Sequence, residues 1–296
     1  MTINGTSKVC GVIGCPVEHS VSPMMHNFFS EELGLDLVYA PFLVQPGKVG
    51  EAVKGAFALN IHGLNVTVPH KQAVMEHLCG IDEGALAIGA VNTLVRQADG
   101  YKGYNTDAEG ILRAMLEAGM DIAGRTCILL GAGGAAKAAA YVLVREKAAK
   151  VYLLNRSLEK AQGLAAEMDR LFGTSVCQAM ALDDWREIQE EHCLAVQTTS
   201  VGMSPHAGQA VIEDEAFYRK LDMAFDAIYN PMETKFLAMA RAAGAKTENG
   251  LGMLLYQGVA AYELWNPEVR IPAELAARAR ERLIAHLEGR RLEGRR

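Results

Sequence analysis

Short apolar runs alternate with longer segments of helical periodicity along almost the whole chain. The runs 8–13, 126–130 and 151–154 have the length and the continuous apolar character of buried strands. Residues 158–172 instead carry apolar side chains at the spacing of one helix face. This alternation is typical of α/β proteins, in which helices cover the faces of largely parallel sheets.

The first half of the chain follows this order from near its N-terminus. Ser22 is expected to act as the N-cap of the first helix, with Pro23 at its first position and Gly34 at its end. A second helix is predicted over 47–58. The predicted strands of this half are 8–13, 37–40, 61–66 and 91–95, with 101–103 as the antiparallel partner of the last.

A second unit begins near residue 107. A helix over 107–118 precedes the strand 126–130, and a glycine-rich turn then leads into a helix that ends near residue 147. This order matches the βαβαβ pattern of a nucleotide-binding domain. The remaining predicted elements are strands at 151–154, 194–197 and 223–228, a helix over 158–172, and C-terminal helices over 251–262 and 272–287.

The composition excludes several classes of partner. The chain has 296 residues and a net charge of −6, so no basic field attracts nucleic acid. No apolar run approaches the ~20 residues that span a membrane, and the N-terminus lacks a signal-peptide pattern. The cysteines and histidines lack metal-ligand spacing, so no metal site is predicted, and His26 is interpreted as a packed or surface histidine. We expect a cytoplasmic protein; its oligomeric state stays open, with a homodimer as one option.

The glycine-rich turn carries the first chemical signal. The sequence from Gly131 to Ala136, GAGGAA, fits the G-x-G-x-x-G/A pattern between a strand and a helix. Gly131 makes the tight turn, Gly133 admits a pyrophosphate, and Ala136 allows close packing of helix on strand. The free N–H groups of the helix N-terminus then face the phosphates. The pattern predicts dinucleotide binding, although a packing turn is the plainer alternative.

The end of the next strand indicates which dinucleotide binds. An NAD-selective site places a carboxylate about 20 residues after the glycines, but this chain has Asn155 there, followed by Arg156. No carboxylate repels a 2′-phosphate, and Arg156 is suited to pair with one. The cofactor is therefore predicted to be NADP.

Polar side chains also cluster where the strands of the first half end. Ligands of parallel sheets bind beyond the carboxyl ends of the strands, so we expect these side chains to surround a small polyhydroxylated substrate. Each residue alone is more typical of a cap or a turn than of a binding site, although Ser20 has no capping role in the predicted helix. The neutral members are Ser20, Ser22, Asn65, Thr67 and Asn92, and they accompany Lys71 and Asp107.

Together these segments resemble the shikimate dehydrogenase family over nearly the whole chain. No single stretch is specific, but their joint occurrence in this order is. The family-like stretches are GCPVEHSVSPMMHN (14–27), NVTVPHK (65–71), GAVNT (89–93), YNTDAEG (104–110), GAGGAA (131–136), NRS (155–157), TSVGM (199–203), DAIYNP (226–231) and NGLGMLLYQG (249–258).

The resemblance implies NADPH-dependent reduction of 3-dehydroshikimate to shikimate, on the route to aromatic amino acids. It implies that Lys71 is the acid/base and Asp107 its orienting partner. Substrate contacts carried over are Ser20, Ser22, Asn65, Thr67, Asn92, Tyr229 and Gln257. Cofactor-side positions are Gly131, Ala132, Gly133, Gly134, Ala135, Asn155, Arg156, Ser157, Ala227 and Gly250, with Glu83 in addition. The chain departs from the family at 197–198, where Gln-Thr replaces the more usual Asn-Ala, and at Ser157, where Thr is frequent.

The predicted fold is α/β with two domains and an active-site cleft between them. Residues 1–106 form the substrate domain, which the C-terminal helices of 251–296 complete, and 107–250 form a Rossmann-like NADP-binding domain. Two alternatives stay open. A quinate/shikimate dehydrogenase would use NAD and NADP more freely. The resemblance implies that Ser22 favours shikimate, where a bulkier Thr would suit quinate. A catalytically silent NADP-binding regulator would not need Lys71 and Asp107 together.

Overall fold

The computed structural model describes residues 3–289 of the chain, which divides into two compact units. The first comprises the chain up to Thr106 together with the chain from Leu255 onward, and the second comprises Asp107–Leu254. Residues 290–296 of the predicted C-terminal segment lie outside the described residues.

The first unit is built on a mixed six-stranded sheet within the described residues. Its strand order is β2-β1-β3-β5-β6-β4. β1 pairs in parallel with β2 and β3, whereas β5 runs antiparallel to both β3 and β6. The strands are β1 (Lys8–Gly14), β2 (Leu37–Leu43), β3 (Gly63–Val66), β4 (Gly80–Ile81), β5 (Thr93–Arg96) and β6 (Tyr101–Tyr104).

Three helices precede the second unit along the chain. α1 ends at Gly34, whose φ of 65° gives the left-handed conformation of a helix C-cap. A core of apolar side chains, among them Leu64, Leu94 and Tyr101, packs between this sheet and its helices. The helices are α1 (Ser22–Leu33), α2 (Val49–Ala58) and α3 (Glu83–Ile88), with a 3₁₀ helix at Ala73–His77.

The second unit has a six-stranded, wholly parallel sheet among its described residues. Its strand order β12-β11-β10-β7-β8-β9 is that of a doubly wound dinucleotide-binding fold, with the switch point between β7 and β10. The strands are β7 (Thr126–Leu130), β8 (Lys150–Asn155), β9 (Cys177–Ala181), β10 (Cys193–Gln197), β11 (Leu221–Asp226) and β12 (Lys246–Glu248). The helices are α4 (Asp107–Glu117), α5 (Gly134–Arg145), α6 (Leu158–Phe172), α7 (Glu215–Tyr218) and α8 (Lys235–Ala242), with a 3₁₀ helix at Leu182–Glu187.

Two C-terminal helices, α9 (Leu251–Trp265) and α10 (Ala273–Leu287), complete the first unit from Leu255 onward. The Trp265 indole N–H donates to the carbonyl of Leu94 at 2.9 Å, and the Tyr262 hydroxyl lies 3.1 Å from that of Ser30. These contacts join α9 to the sheet and to α1.

The predicted α/β fold is confirmed, and each predicted strand and helix is present with ends displaced by a few residues. The short strands β4, β9 and β12 were not predicted. Their sequences, GI, CQAMA and KTE, lack the long apolar run of a buried strand. Each of these strands lies at the edge of its sheet and is only partly buried, so it needs fewer apolar side chains.

Candidate functional site

Lys71 lies in the turn that follows β3, and the main chain of this turn is held on both sides. The buried His70 ring bonds through Nε2 to the carbonyl of Val44 at 2.7 Å. Because a carbonyl only accepts, Nε2 carries the proton. The carbonyl of Lys71 accepts from the N–H of Val91 at 2.8 Å. The backbone of Lys71 is therefore fixed beside the segment that leads into β5.

The side chain of Asn92, the residue after Val91, fixes the chain directly before Asp107, the other predicted catalytic residue. Its Oδ1 accepts from the N–H of Thr106 at 2.8 Å, and its Nδ2 donates to the Thr106 hydroxyl at 3.0 Å. Both side chains are buried. Thr106 directly precedes Asp107, the first residue of α4. The anchors of Lys71 and of the residue before Asp107 are thus adjacent in the sequence.

Asn65 and Thr67 lie at the end of β3, as the sequence predicts. Asn65 is buried, and its Nδ2 donates to the Thr93 hydroxyl at 3.1 Å and to the carbonyl of Asn92 at 3.3 Å. Its Oδ1 accepts from the buried Tyr39 hydroxyl at 2.7 Å. The first unit therefore brings Asn65 and Asn92 into one buried hydrogen-bond network.

The predicted roles of the two serines at α1 are wrong in one respect. Val21, not Ser22, occupies the N-cap, and its φ of −88° and ψ of −4° are already helical, so no side chain caps the helix. The Ser20 hydroxyl instead accepts from the N–H of Ser22 at 3.4 Å, although no capping role was expected for it. Ser22 lies inside the first turn of α1 and is not its N-cap. Its side chain is therefore not committed to the helix end.

The remaining predicted site residues of the first unit lie on two other helices. Gln257 lies on α9, which the Trp265 and Tyr262 contacts hold in place. Glu83 is exposed at the first position of α3, where the preceding Asp82 caps the helix by accepting from a backbone N–H at 3.0 Å. Glu83 therefore lies outside the unit that holds the other predicted cofactor-side residues.

The glycine loop of the second unit has space for a ligand on one side only. Gly131 has a φ of 113°, and a Cβ there would lie 2.8 Å from the Thr198 hydroxyl oxygen, so this position requires glycine. Gly133 and Gly134 are exposed, and a Cβ on either would meet no atom within 4 Å. α5 begins at Gly134 with free N–H groups in its first turn. Ala132 and Ala135 complete the predicted loop, which fits a dinucleotide pyrophosphate.

The end of β8 carries the residues predicted to choose between NADP and NAD. Asn155 donates from Nδ2 to the carbonyl of Ser157 at 2.9 Å and so orders the turn into α6. Ser157 is the N-cap of this helix, and its side chain makes no capping hydrogen bond. Arg156 lies between them and is exposed. A positive guanidinium at this turn suits the 2′-phosphate of NADP.

Ala227 and Gly250 are brought into direct contact in the second unit. A Cβ on Gly250 would lie 2.1 Å from the carbonyl oxygen of Ala227, so only glycine permits this approach. Its N–H donates to the carbonyl of Ile228 at 3.0 Å. Tyr229 follows Ile228, three residues after the end of β11, and burial raises the pKa of its hydroxyl.

Gln197 and Asp226 form a buried polar pair that supports these loops. Gln197 is also the first residue of the Gln-Thr pair at 197–198, where the chain departs from the family pattern. Gln197 donates from Nε2 to Asp226 at 3.3 Å and to the carbonyls of Thr199 and Val201 at 3.2 and 3.3 Å. The Thr198 hydroxyl donates to the carbonyl of Leu130, directly before the glycine loop, at 2.7 Å. The Gln-Thr pair thus acts through hydrogen bonds to the backbone around the cofactor-side loops.

Asp226 should make the stability of the chain depend on pH. Burial raises the pKa of its carboxyl from 3.8 to about 6, although the Thr234 hydroxyl and the N–H of Ile228 donate to it. The folded protein therefore holds this proton more tightly than the unfolded chain does. The contribution of the Asp226 carboxyl to stability consequently falls as pH rises from about 4 to 6. The Asp226→Asn variant cannot ionise at this position. Its free energy of unfolding should therefore rise relative to that of the parent by roughly 3 kcal/mol over this range.

Urea unfolding of both proteins at pH 3.5, 4.5, 5.5 and 7.5 measures this difference. Asparagine can keep its oxygen towards Ile228 and turn its amide towards Thr234, so the fold should survive the change. A difference in unfolding free energy that stays constant with pH would contradict the raised pKa of Asp226.

Two kinds of feature are not found among the described residues. No helix within residues 3–289 is long and apolar enough to cross a membrane. Over the same residues, no group of three or more His, Cys, Asp or Glu side chains could hold a metal ion.

The second unit has the fold of the dinucleotide-binding class of proteins, and the first unit is a separate α/β domain. Three family models match the chain: the shikimate dehydrogenase substrate binding domain over residues 12–94, shikimate/quinate 5-dehydrogenase over 114–217, and the shikimate 5′-dehydrogenase C-terminal domain over 250–279. The chain belongs to the shikimate dehydrogenase family.

Individual relatives agree with this assignment. A shikimate dehydrogenase (NADP(+)) of Caldanaerobacter subterraneus is 43% identical over 90% of this chain and 95% of its own. The structure of a Listeria monocytogenes shikimate 5-dehydrogenase with shikimate and NAD has a TM-score of 0.87 at 32% identity, covering 96% and 98% of the two chains. That of the Thermus thermophilus enzyme with NADP(H) and shikimate has a TM-score of 0.81 at 33% identity, covering 93% and 99%.

The predicted family, the predicted class of NADP-dependent oxidoreductase and the fold are confirmed by these findings. The roles of the individual site residues stay predictions. Tyr39, Thr93 and Thr106 were not predicted as parts of the polar network. Tyr39 has the pattern of a core residue in a strand, whereas Thr93 and Thr106 each follow a predicted site residue or precede one.

Proposed function

We propose that this chain catalyses the reversible NADPH-dependent reduction of 3-dehydroshikimate to shikimate, with Lys71 as proton donor and acceptor and Asp107 as its partner. The observation that carries the proposal is the pair of anchors at 91–92. The N–H of Val91 holds the carbonyl of Lys71, and the Asn92 side chain holds Thr106, directly before Asp107. A catalytically silent binding protein would not need both residues fixed to neighbouring points of one segment.

The chemistry requires a proton at the substrate oxygen. NADPH supplies a hydride to the ketone, which leaves an alkoxide that must be protonated. A lysine ammonium positioned near that oxygen donates this proton, and takes it back in the reverse direction. The proposed role of the Asp107 carboxylate is to orient this ammonium.

Several side chains of the first unit suit the hydroxyl and carboxylate groups of shikimate. Asn65, Asn92 and Thr67 offer neutral hydrogen-bonding groups at the ends of β3 and before β5. The hydroxyls of Ser20 and Ser22 lie at the N-terminal end of α1, where free N–H groups favour a carboxylate. The remaining proposed substrate contacts are Tyr229 and Gln257.

The cofactor-side residues of the second unit fit NADP. The open faces of Gly133 and Gly134 leave room for the pyrophosphate, and the exposed Arg156 supplies a cation for the 2′-phosphate. Gly131, Ala132, Ala135, Asn155, Ser157, Ala227 and Gly250 shape this surface, and Glu83 is retained as a weaker candidate. A homodimer and a cytoplasmic location stay predictions.

Steady-state oxidation of shikimate and of quinate, each with NADP and with NAD, tests the proposal. We expect kcat/KM to be highest for shikimate with NADP, because Ser22 leaves no bulky group at the carboxylate and Arg156 favours the 2′-phosphate. Comparable values for quinate with NAD would favour the quinate/shikimate alternative. The absence of oxidation with all four combinations would favour the non-catalytic regulator.

A further inference from the structure

We infer that Tyr39 is a positioning residue for substrate binding, because its buried hydroxyl donates to the Asn65 amide oxygen and so holds this amide in the orientation that the Asn92 carbonyl requires. The inference rests on the proposed function, which makes Asn65 a substrate contact. Tyr39 lies on β2, at the edge of the sheet, and is 2% exposed. None of the site residues predicted from the sequence lies on this strand.

The partners of Asn65 leave one orientation of its amide. A main-chain carbonyl only accepts hydrogen bonds, so the nitrogen of the amide must face the carbonyl of Asn92, 3.3 Å away. Oδ1 then faces the Tyr39 hydroxyl at 2.7 Å, and Tyr39 must be the donor. Turning the amide over would place two acceptors against each other at Asn92. The Tyr39 hydroxyl therefore satisfies the buried oxygen that this orientation requires.

Tyr39 is itself held at its backbone and at its ring. The side chain of Asn27 on α1 donates to the carbonyl of Tyr39 at 2.9 Å and accepts from its N–H at 2.8 Å. The ring lies parallel to that of His26, with the centroids 4.3 Å apart and an interplanar angle of 18°. Burial raises the pKa of the Tyr39 hydroxyl well above 10, so the donor proton is retained at every working pH.

His26 completes this arrangement as a neutral aromatic ring. Its burial is complete and lowers the pKa of its imidazole to about 3, while the nearby Asn65 side chain acts in the opposite direction. Among the described residues, neither ring nitrogen has a hydrogen-bond partner of normal geometry. The ring instead packs between Tyr39, Tyr262 and Trp265, so its contribution here is stacking. α1 thus supports Tyr39 by a clamp at Asn27 and a stack at His26.

The variant Tyr39→Phe removes the hydroxyl and keeps the ring on His26. We expect the KM for shikimate to rise about fivefold, because the buried oxygen of the Asn65 amide loses the donor that holds it in place. The kcat and the KM for NADP should stay within twofold of the parent, because neither the acid/base pair nor the cofactor side is touched.

Tyr101→Phe is the matched control for the loss of a buried tyrosine hydroxyl. Tyr101 is 1% exposed on β6 of the same sheet, and its hydroxyl donates to the carbonyl of Ile61 at 2.7 Å. That carbonyl is not a predicted substrate contact. Both variants should lower the melting temperature by a similar amount, but only Tyr39→Phe should raise the KM for shikimate. An equal KM in the two variants would overturn the inference.

Asn65→Ala separates failure of the inference from failure of the proposed function. If Asn65→Ala leaves the KM for shikimate unchanged, the proposed substrate site is wrong and the inference falls with it. If Asn65→Ala raises this KM and Tyr39→Phe does not, the site stands and only the role of Tyr39 is wrong. The double variant should have the KM of Asn65→Ala alone, since Tyr39 acts through Asn65. Multiplying effects would show that Tyr39 acts independently and would also overturn the inference.

Discussion

Lys71→Ala should lower kcat for shikimate oxidation by about 10² to 10⁴, the usual effect of losing a positioned proton donor or acceptor. The KM for NADP should barely change, because the residues proposed to bind the cofactor are on other segments. Asp107→Asn should also impair turnover, with weaker substrate binding if its carboxylate accepts a substrate hydroxyl. Steady-state kinetics at saturating NADP measure both variants.

Two further variants test whether turnover needs proton transfer by Lys71 or only its positive charge. Lys71→Arg keeps a positive charge, but a guanidinium is not deprotonated at working pH and cannot accept the proton of the substrate alcohol. It should therefore restore little of the lost kcat. Lys48→Ala removes an exposed lysine of the same unit, which pairs with Glu51 on the surface, and should leave kcat unchanged. Near-normal turnover in Lys71→Ala would remove Lys71 from the mechanism.

The parts of the fold that the sequence predicts are those with strong local patterns. β7 and β8 are continuous apolar runs, and the spacing of the glycines between β7 and α5 is that of a strand-to-helix turn. The edge strands lack this pattern. β9 has a single buried residue, Met180, and β12 has only three residues. These strands form because β8 and β11 offer unpaired backbone groups.

In the candidate site, too, contacts between residues that are distant in the chain could not be predicted from local sequence patterns. Ser22 and Pro23 have the local composition of a helix start, but the backbone at Val21 is already helical, and this depends on the path of the preceding loop. The bond between Tyr39 and Asn65 joins two strands through residues that are 26 positions apart in the chain. Neither residue type specifies the other, so this partnership becomes visible only once β2 and β3 are placed on either side of β1.

Arg156→Ala should raise the KM for NADP roughly 10- to 100-fold, as expected when a charge-assisted hydrogen bond to the 2′-phosphate is lost. The KM for NAD should stay nearly unchanged, since NAD carries a hydroxyl where NADP carries this phosphate. The structural reason is local. Asn155 orders the turn through the carbonyl of Ser157, and the exposed Arg156 is the cation between them.

Arg170→Ala provides the control for a general loss of positive charge. Arg170 is exposed in the last turn of α6, at the far end of the helix that begins after Ser157. Its removal should leave both KM values unchanged. If Arg156→Ala raises the KM for NAD as much as that for NADP, Arg156 acts on the part that the two cofactors share. The preference for NADP would then have to arise elsewhere on the cofactor-side surface, because Asn155 can only permit the 2′-phosphate and supplies no charge to attract it.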